Sequence, residues 1–130
     1  MQKHCFKFLP EEHLLIESFQ GNFLPEEIAA IVSEKNRLPK QEFPFDFLID
    51  VQSIETTFTL RHASTILQIL SKSEHLQQIR RMAFVASEPL QVVTTELLCL
   101  HINKQTSINA KTFCSIGAAL NWLNLSIIVR

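Results

Sequence analysis

Residues Cys5–Leu9 alternate, with Phe6 and Phe8 on one side and Cys5 and Lys7 on the other. A period of two marks a strand with one better-buried face. Leu14–Phe19 repeats the pattern, Leu14, Ile16 and Ser18 opposing Leu15, Glu17 and Phe19. Only Pro10-Glu11-Glu12-His13 separates the two runs, which predicts an antiparallel hairpin. Gly21 ends the second strand, and the period then lengthens. Pro25 suits a first helical turn, Glu26 and Glu27 suit the positive end of the helix dipole, and Ile28, Ile31 and Val32 form an apolar stripe. Asn36 to Pro44, with two prolines, reads as a loop.

Phe45–Val51 is the third predicted strand, apolar on both faces at its centre, Phe47–Ile49. Residues 52–59 are polar, and Thr57 or Thr59 is placed to cap a helix over about Leu60–Ser73, where Ala63, Ile66, Leu67 and Leu70 recur at helical spacing. Arg81–Ala86 is a fourth strand. Ser87 is the expected N-cap of a third helix, with Pro89 just inside it and Leu90, Val93, Leu97 and Leu100 as its inward stripe. Ile69, Leu98 and Leu125 fall off the main stripes and are expected to face outward. Ile108–Phe113 is a fifth strand, and Ser115 caps a last helix with Ile116, Ala119, Leu120 and Leu123 in its stripe and Trp122 beside it. Ile127-Ile128-Val129 either continues that helix or leaves it as an extended tail. The order β-β-α-β-α-β-α-β-α predicts an α/β fold, a mostly parallel five-stranded sheet with right-handed crossovers, opened by one antiparallel hairpin.

The 130 residues suit one domain, 1–130, with its core over 5–123. At 46% hydrophobic and 19% charged residues, the chain reads as globular rather than disordered. Two glycines exclude glycine-rich phosphate loops. Lys plus Arg is 12 against 13 Asp plus Glu, so no global field attracts nucleic acid, and Arg80-Arg81 is the sole basic doublet. Cys5, Cys99 and Cys114 have no CxxC spacing and read as buried or half-buried thiols in a reducing compartment. No leader-like segment opens the chain. The most apolar windows, Val92–Ile102 and Ala118–Val129, fall short of the roughly 20 residues that span a bilayer. A cytoplasmic protein without a membrane span is expected.

The element order resembles the fold shared by anti-sigma-factor antagonists and STAS domains. More closely it resembles small bacterial SpoIIAA-like proteins, related in shape to the lipid-binding lobe of SEC14-type proteins. Leu14–Gly21 resembles the second strand ending in glycine, and Pro25-Glu26-Glu27 the start of the first helix. Phe47–Val51 resembles the third strand with its Asp, and Met82–Ser87 the fourth. Thr112-Phe113 followed by Ala118–Leu123 resembles the closing strand and helix. Phosphorylatable antagonists carry an Asp-Ser-Ser-Gly-like segment after the third strand. Here the stretch is Glu55-Thr56-Thr57-Phe58-Thr59-Leu60, without glycine or a serine pair. Thr57 and Thr59 therefore read first as turn and cap residues, although a helix N-terminus accepts a phosphate.

Candidate chemistry is sparse. The five histidines share no metal-ligand spacing, and no cofactor motif is present. Asp50 is placed at the C-terminal end of the third strand, where open α/β sheets put ligands, with His62 on the next helix and Ser87 after the fourth strand. A structural Asp50 that satisfies backbone N–H groups of the next loop is the plainer reading. Ten phenylalanines are the stronger oddity. Phe43, Phe45 and Phe58 flank the loops around the third strand and could line an apolar groove or a partner surface. The leading expectation is a non-enzymatic interaction or regulatory module that binds a protein partner or itself, through Phe43, Phe45, Asp50, Thr57, Phe58, Thr59, His62 and Ser87. The alternative is a small domain binding an apolar ligand or lipid. A hydrolase using Asp50, His62 and Ser87 is the remote third class.

Overall fold

The computed structural model describes residues 4–34, 44–55 and 78–123, and between the last two stretches Arg61, Ser64, Thr65, Leu67 and Gln68. The predicted hairpin is present. β1 (His4–Leu9) pairs antiparallel with β2 (Leu14–Gly21), His4 opposite Phe19 and Leu9 opposite Leu14. Pro10–Glu12 makes one 3-10 turn between them, and His13 closes it in the left-handed region at φ 51. Gly21, at φ 90, turns the chain out of β2. α1 (Pro25–Glu34) follows, its first turn closed by Glu27, whose carboxylate accepts from the Leu24 N–H at 2.9 Å.

β3 (Phe45–Ile54) and β4 (Ile79–Val85) pair in parallel, as do β2 with β3 and β4 with β5 (Asn109–Phe113). β3 runs three residues further than its apolar alternation predicts, through Gln52 and Ser53 to Ile54, because Gln20 and Gly21 of β2 continue to pair with it. Arg61, Ser64, Thr65, Leu67 and Gln68 are helical, in the region where a helix is predicted. α2 (Pro89–Gln105) joins β4 to β5, and α3 (Ile116–Trp122) closes the chain's described part, its N-cap Ser115 accepting from the Ala118 N–H as the sequence predicts.

The strand order is β1-β2-β3-β4-β5, so chain neighbours are sheet neighbours. Right-handed crossovers that always advance in one direction put their helices on one face of the sheet. Leu98, Cys99 and Ile102 of α2 accordingly share one core with Leu15, Phe19, Phe47, Ile49, Met82 and Phe84, and Ile31 and Leu67 pack against it. The opposite face is closed by α3, whose Ala119 and Leu120 meet Leu14, Leu48, Ala83 and Val85, with Leu123 just beyond the helix. Small residues on both sides, Ala83 and Ala119, let this short helix approach the strands closely.

α2 departs from its predicted orientation. Leu90, Val93, Leu97 and Leu100 are 47%, 54%, 37% and 51% exposed, while Gln91, Thr94, Thr95, Leu98, Cys99 and Ile102 are buried. Leu98, expected to face outward, is core. Its N-cap is Glu88 rather than Ser87, and Glu88 forms a capping box with Gln91.

Candidate functional site

Open α/β sheets bind ligands at the C-terminal edge of their strands, at the point where strand order reverses. The strand order of this sheet has no reversal. Asp50 is half-buried and its Oδ1 accepts from the Gln52 N–H at 3.0 Å, the loop-satisfying role. Ser87 is exposed, and among the described residues no hydrogen bond joins it to Asp50. His62 lies outside the described residues, as do Phe43, Thr57, Phe58 and Thr59. Phe45 is not a surface residue. It is 3% exposed, with the ring of Phe8 at 6.0 Å edge-on, because its side chain points to the sheet face that the crossover helices cover. Beside this edge, the pocket lined by Val51, Ile54, Gln91 and Thr95 is filled and has no room for a water molecule. No group of three metal-ligating side chains occurs among the described residues, and none of their helices is long and apolar enough to cross a membrane.

What the fold presents instead is the outer face of α2. Its inner face is unusually polar, and the buried side chains of Gln91, Thr94 and Thr95 are all hydrogen-bonded. Gln91 Nε2 donates to the Ile54 carbonyl at 3.0 Å. Thr94 Oγ1 donates to Leu90 O and Thr95 Oγ1 to Gln91 O, both at 2.9 Å. Thr112 Oγ1 of β5 donates to Thr95 Oγ1 at 3.1 Å, and the Cys99 sulfur lies 3.6 Å from the same Thr112 hydroxyl. Asn103 clasps the backbone of Ala110 from both sides, donating to its carbonyl at 3.0 Å and accepting from its N–H at 2.6 Å. That clasp also pairs backbone groups that β4 leaves free on β5, the strand at one end of the sheet order. Thr106 closes the helix, its hydroxyl donating to Ile102 O at 2.7 Å and accepting from the Ile108 N–H.

A helix fixed by hydrogen bonds on its polar side has to leave apolar side chains outside. Leu90, Val93, Leu97 and Leu100 form that stripe, with Glu96, His101 and Lys104 exposed around it. Sequence reasoning found the four residues and assigned them to the wrong face. It chose the stripe of larger apolar side chains, and the alternative face needed the knowledge that each threonine bonds its own helix.

Two buried charges were not singled out from the sequence. Glu17 is 1% exposed on the inner face of β2, and His4 Nε2 lies 2.5 Å from its Oε2. The imidazole is also wedged against Phe19 at 4.9 Å and Phe6 at 5.9 Å. A glutamate between Leu15 and Phe19 on one strand face was the available signal. Asp46 is 1% exposed and takes both oxygens' worth of donors from two guanidinium groups, Arg80 at 3.2 and 3.0 Å and Arg81 at 3.2 and 2.8 Å. The basic doublet thus has a carboxylate between strands to serve. Hydrogen bonding to Asp46 raises the Arg80 pKa above its already high ordinary value. Arg81 reaches further, donating to the Trp122 and Leu123 carbonyls at 3.2 Å and lying 5.8 Å from the centre of the Trp122 ring. The cluster welds β3, β4 and the end of α3.

No family profile matches the sequence, and no curated protein is similar to it. Among solved structures the chain is similar to an uncharacterised protein of the DUF3478 family with a SpoIIAA-like fold from Shewanella loihica PV-4. The two share 19% identity over 95% of each chain, with a TM-score of 0.63. The fold is therefore SpoIIAA-like, the class whose strand and helix landmarks the sequence resembles.

Proposed function

We propose that this protein is a non-enzymatic interaction module that docks through the outer face of α2. One observation carries the reading. A helix of 17 residues turns a hydrogen-bonded threonine and glutamine face to the core and four large apolar side chains to the outside. Contiguous exposed apolar surface rimmed by charge marks an interaction site. Inverting the helix would have buried that surface, and the polar contacts of Gln91, Thr95, Cys99 and Asn103 hold it in the other orientation.

Native mass spectrometry of the protein isolated from its source cells tests the reading. A complex heavier than the 14.9 kDa chain is expected, lost in Leu97→Asp while the thermal unfolding of that variant stays near wild type. A bare monomer for both proteins overturns it.

A further inference from the structure

We propose that a second copy of this chain covers the outer face of α2, the two helices lying antiparallel about a two-fold axis beside Glu96. The inference rests on the interaction reading above and names its partner. Leu90, Val93, Leu97 and Leu100 follow one another at intervals of three, four and three residues. That is the a–d seam along which two helices interlock, narrower than the stripe a globular core uses. The seam is its own complement when run antiparallel, since Leu90 then faces Leu100 of the partner subunit and Val93 faces Leu97 of the partner subunit. An isologous contact of this kind closes after two copies and cannot propagate.

Charge decides the direction. Glu88 stands at the N-terminal end of α2 and Lys104 in its last turn. Antiparallel helices bring Lys104 to Glu88 of the partner subunit at both ends of the seam, and they oppose the helix dipoles favourably. A parallel arrangement sets Lys104 against Lys104 and Glu88 against Glu88. Glu96 is the exception in the antiparallel pairing, because it flanks the axis and meets its own copy. Two attractive pairs therefore stand against one repulsive pair, whereas the parallel arrangement makes all three pairs repulsive.

The area sets the strength. Four side chains about half exposed, with their flanking residues, bury on the order of 1,000 Å² over both copies, the low end of specific interfaces. A reversible dimer in the micromolar range follows, one that fills and empties with protein concentration.

Sedimentation equilibrium of the purified full chain, from micromolar to millimolar concentration, tests this. A monomer–dimer equilibrium is expected for wild type. Leu97→Asp is expected to weaken it at least about tenfold. Glu96→Gln is expected to tighten it severalfold by removing the repulsion at the axis, and Lys104→Glu to weaken it. Far-ultraviolet circular dichroism establishes that each variant folds, and Val93→Asp replaces Leu97→Asp if that chain does not. A monomer at every concentration overturns the proposal, and so does a dimer that Leu97→Asp leaves intact or that Glu96→Gln weakens. If the purified chain is monomeric while a Leu97-dependent complex persists in cells, the two-copy proposal falls and the interaction module stands. If both are monomeric, both fall.

Discussion

The three cysteines occupy different surroundings and should react accordingly. Cys5 and Cys114 are exposed, whereas Cys99 is sealed between α2 and β5. Burial pushes the Cys99 thiol up to about 11 from its ordinary 9, opposed by the Thr112 hydrogen bond and aided by the nearby negative charge of Glu96. In the unfolded chain the thiol ionises near 9, while in the fold it keeps its proton. Stability from this group is therefore intact below pH 9 and falls as pH rises through about 11. Urea unfolding across that window should show a loss on the order of 2 kcal/mol that Cys99→Ala lacks. Two thiols should react promptly with an aromatic disulfide reagent, and the third only on unfolding. Asp46 supports a second comparison. Arg81→Met should cost about 3 kcal/mol, because it removes a mostly buried partner and the clamp on Trp122 and Leu123. Arg80→Met should cost about 1 kcal/mol or less, since that guanidinium is more than half exposed. Denaturant midpoints for the two variants would rank them. Such pairings were illegible in advance, because residues separated by some 34 positions meet only once the strands are in register.

Strands could be read from the chain because their period of two follows from backbone geometry, whatever they pack against. β2 alternates as written and Ser115 caps α3 as a serine before an apolar helix should, while in β1 Phe8 packs inward and Phe6 is 46% exposed. α2 shows where such reading stops. Both of its faces carry enough carbon to be core, and apolar stripes mark the inward face only when the other face is costly to bury. Thr94 and Thr95 remove that cost by donating to their own helix, so packing against β5 chose the orientation. The two glycines give a paired test at the level of elements. A Cβ at either position meets nothing within 4 Å, so only the backbone matters. Gly21→Ala forces a side chain into φ 90 and should cost about 1–2 kcal/mol. Gly117→Ala adds a helix former to α3 and should stabilise by about 0.5–1 kcal/mol. Thermal melts should move in opposite directions, and a shared sign would contradict this account of the two sites.

At the scale of the molecule, the alternation of strands and helices was enough to give the sheet, its hairpin and its class. It was not enough to give a site. Asp50 and Ser87 stand near the C-terminal edge of the strands, where open α/β sheets bind ligands, whereas Phe45 opens β3 at its other end. The strand order runs without the reversal at which such sheets usually hold their ligands. The exposed seam of α2 was invisible for the converse reason, since its residues look like core until the helix is seen in place.

The same uninterrupted order bears on how the chain is made. The order lets each strand join one growing edge in the sequence in which a ribosome delivers it. No strand has to wait for a later one to be inserted between it and its neighbour. The exception is the far side of the sheet, where Leu14, Leu48, Ala83 and Val85 stay uncovered until Ala119, Leu120 and Leu123 follow the fifth strand. A nascent chain thus carries this apolar face unprotected while all five strands are made, the kind of exposure that makes an incomplete fold prone to aggregate, and the few residues of α3 end it.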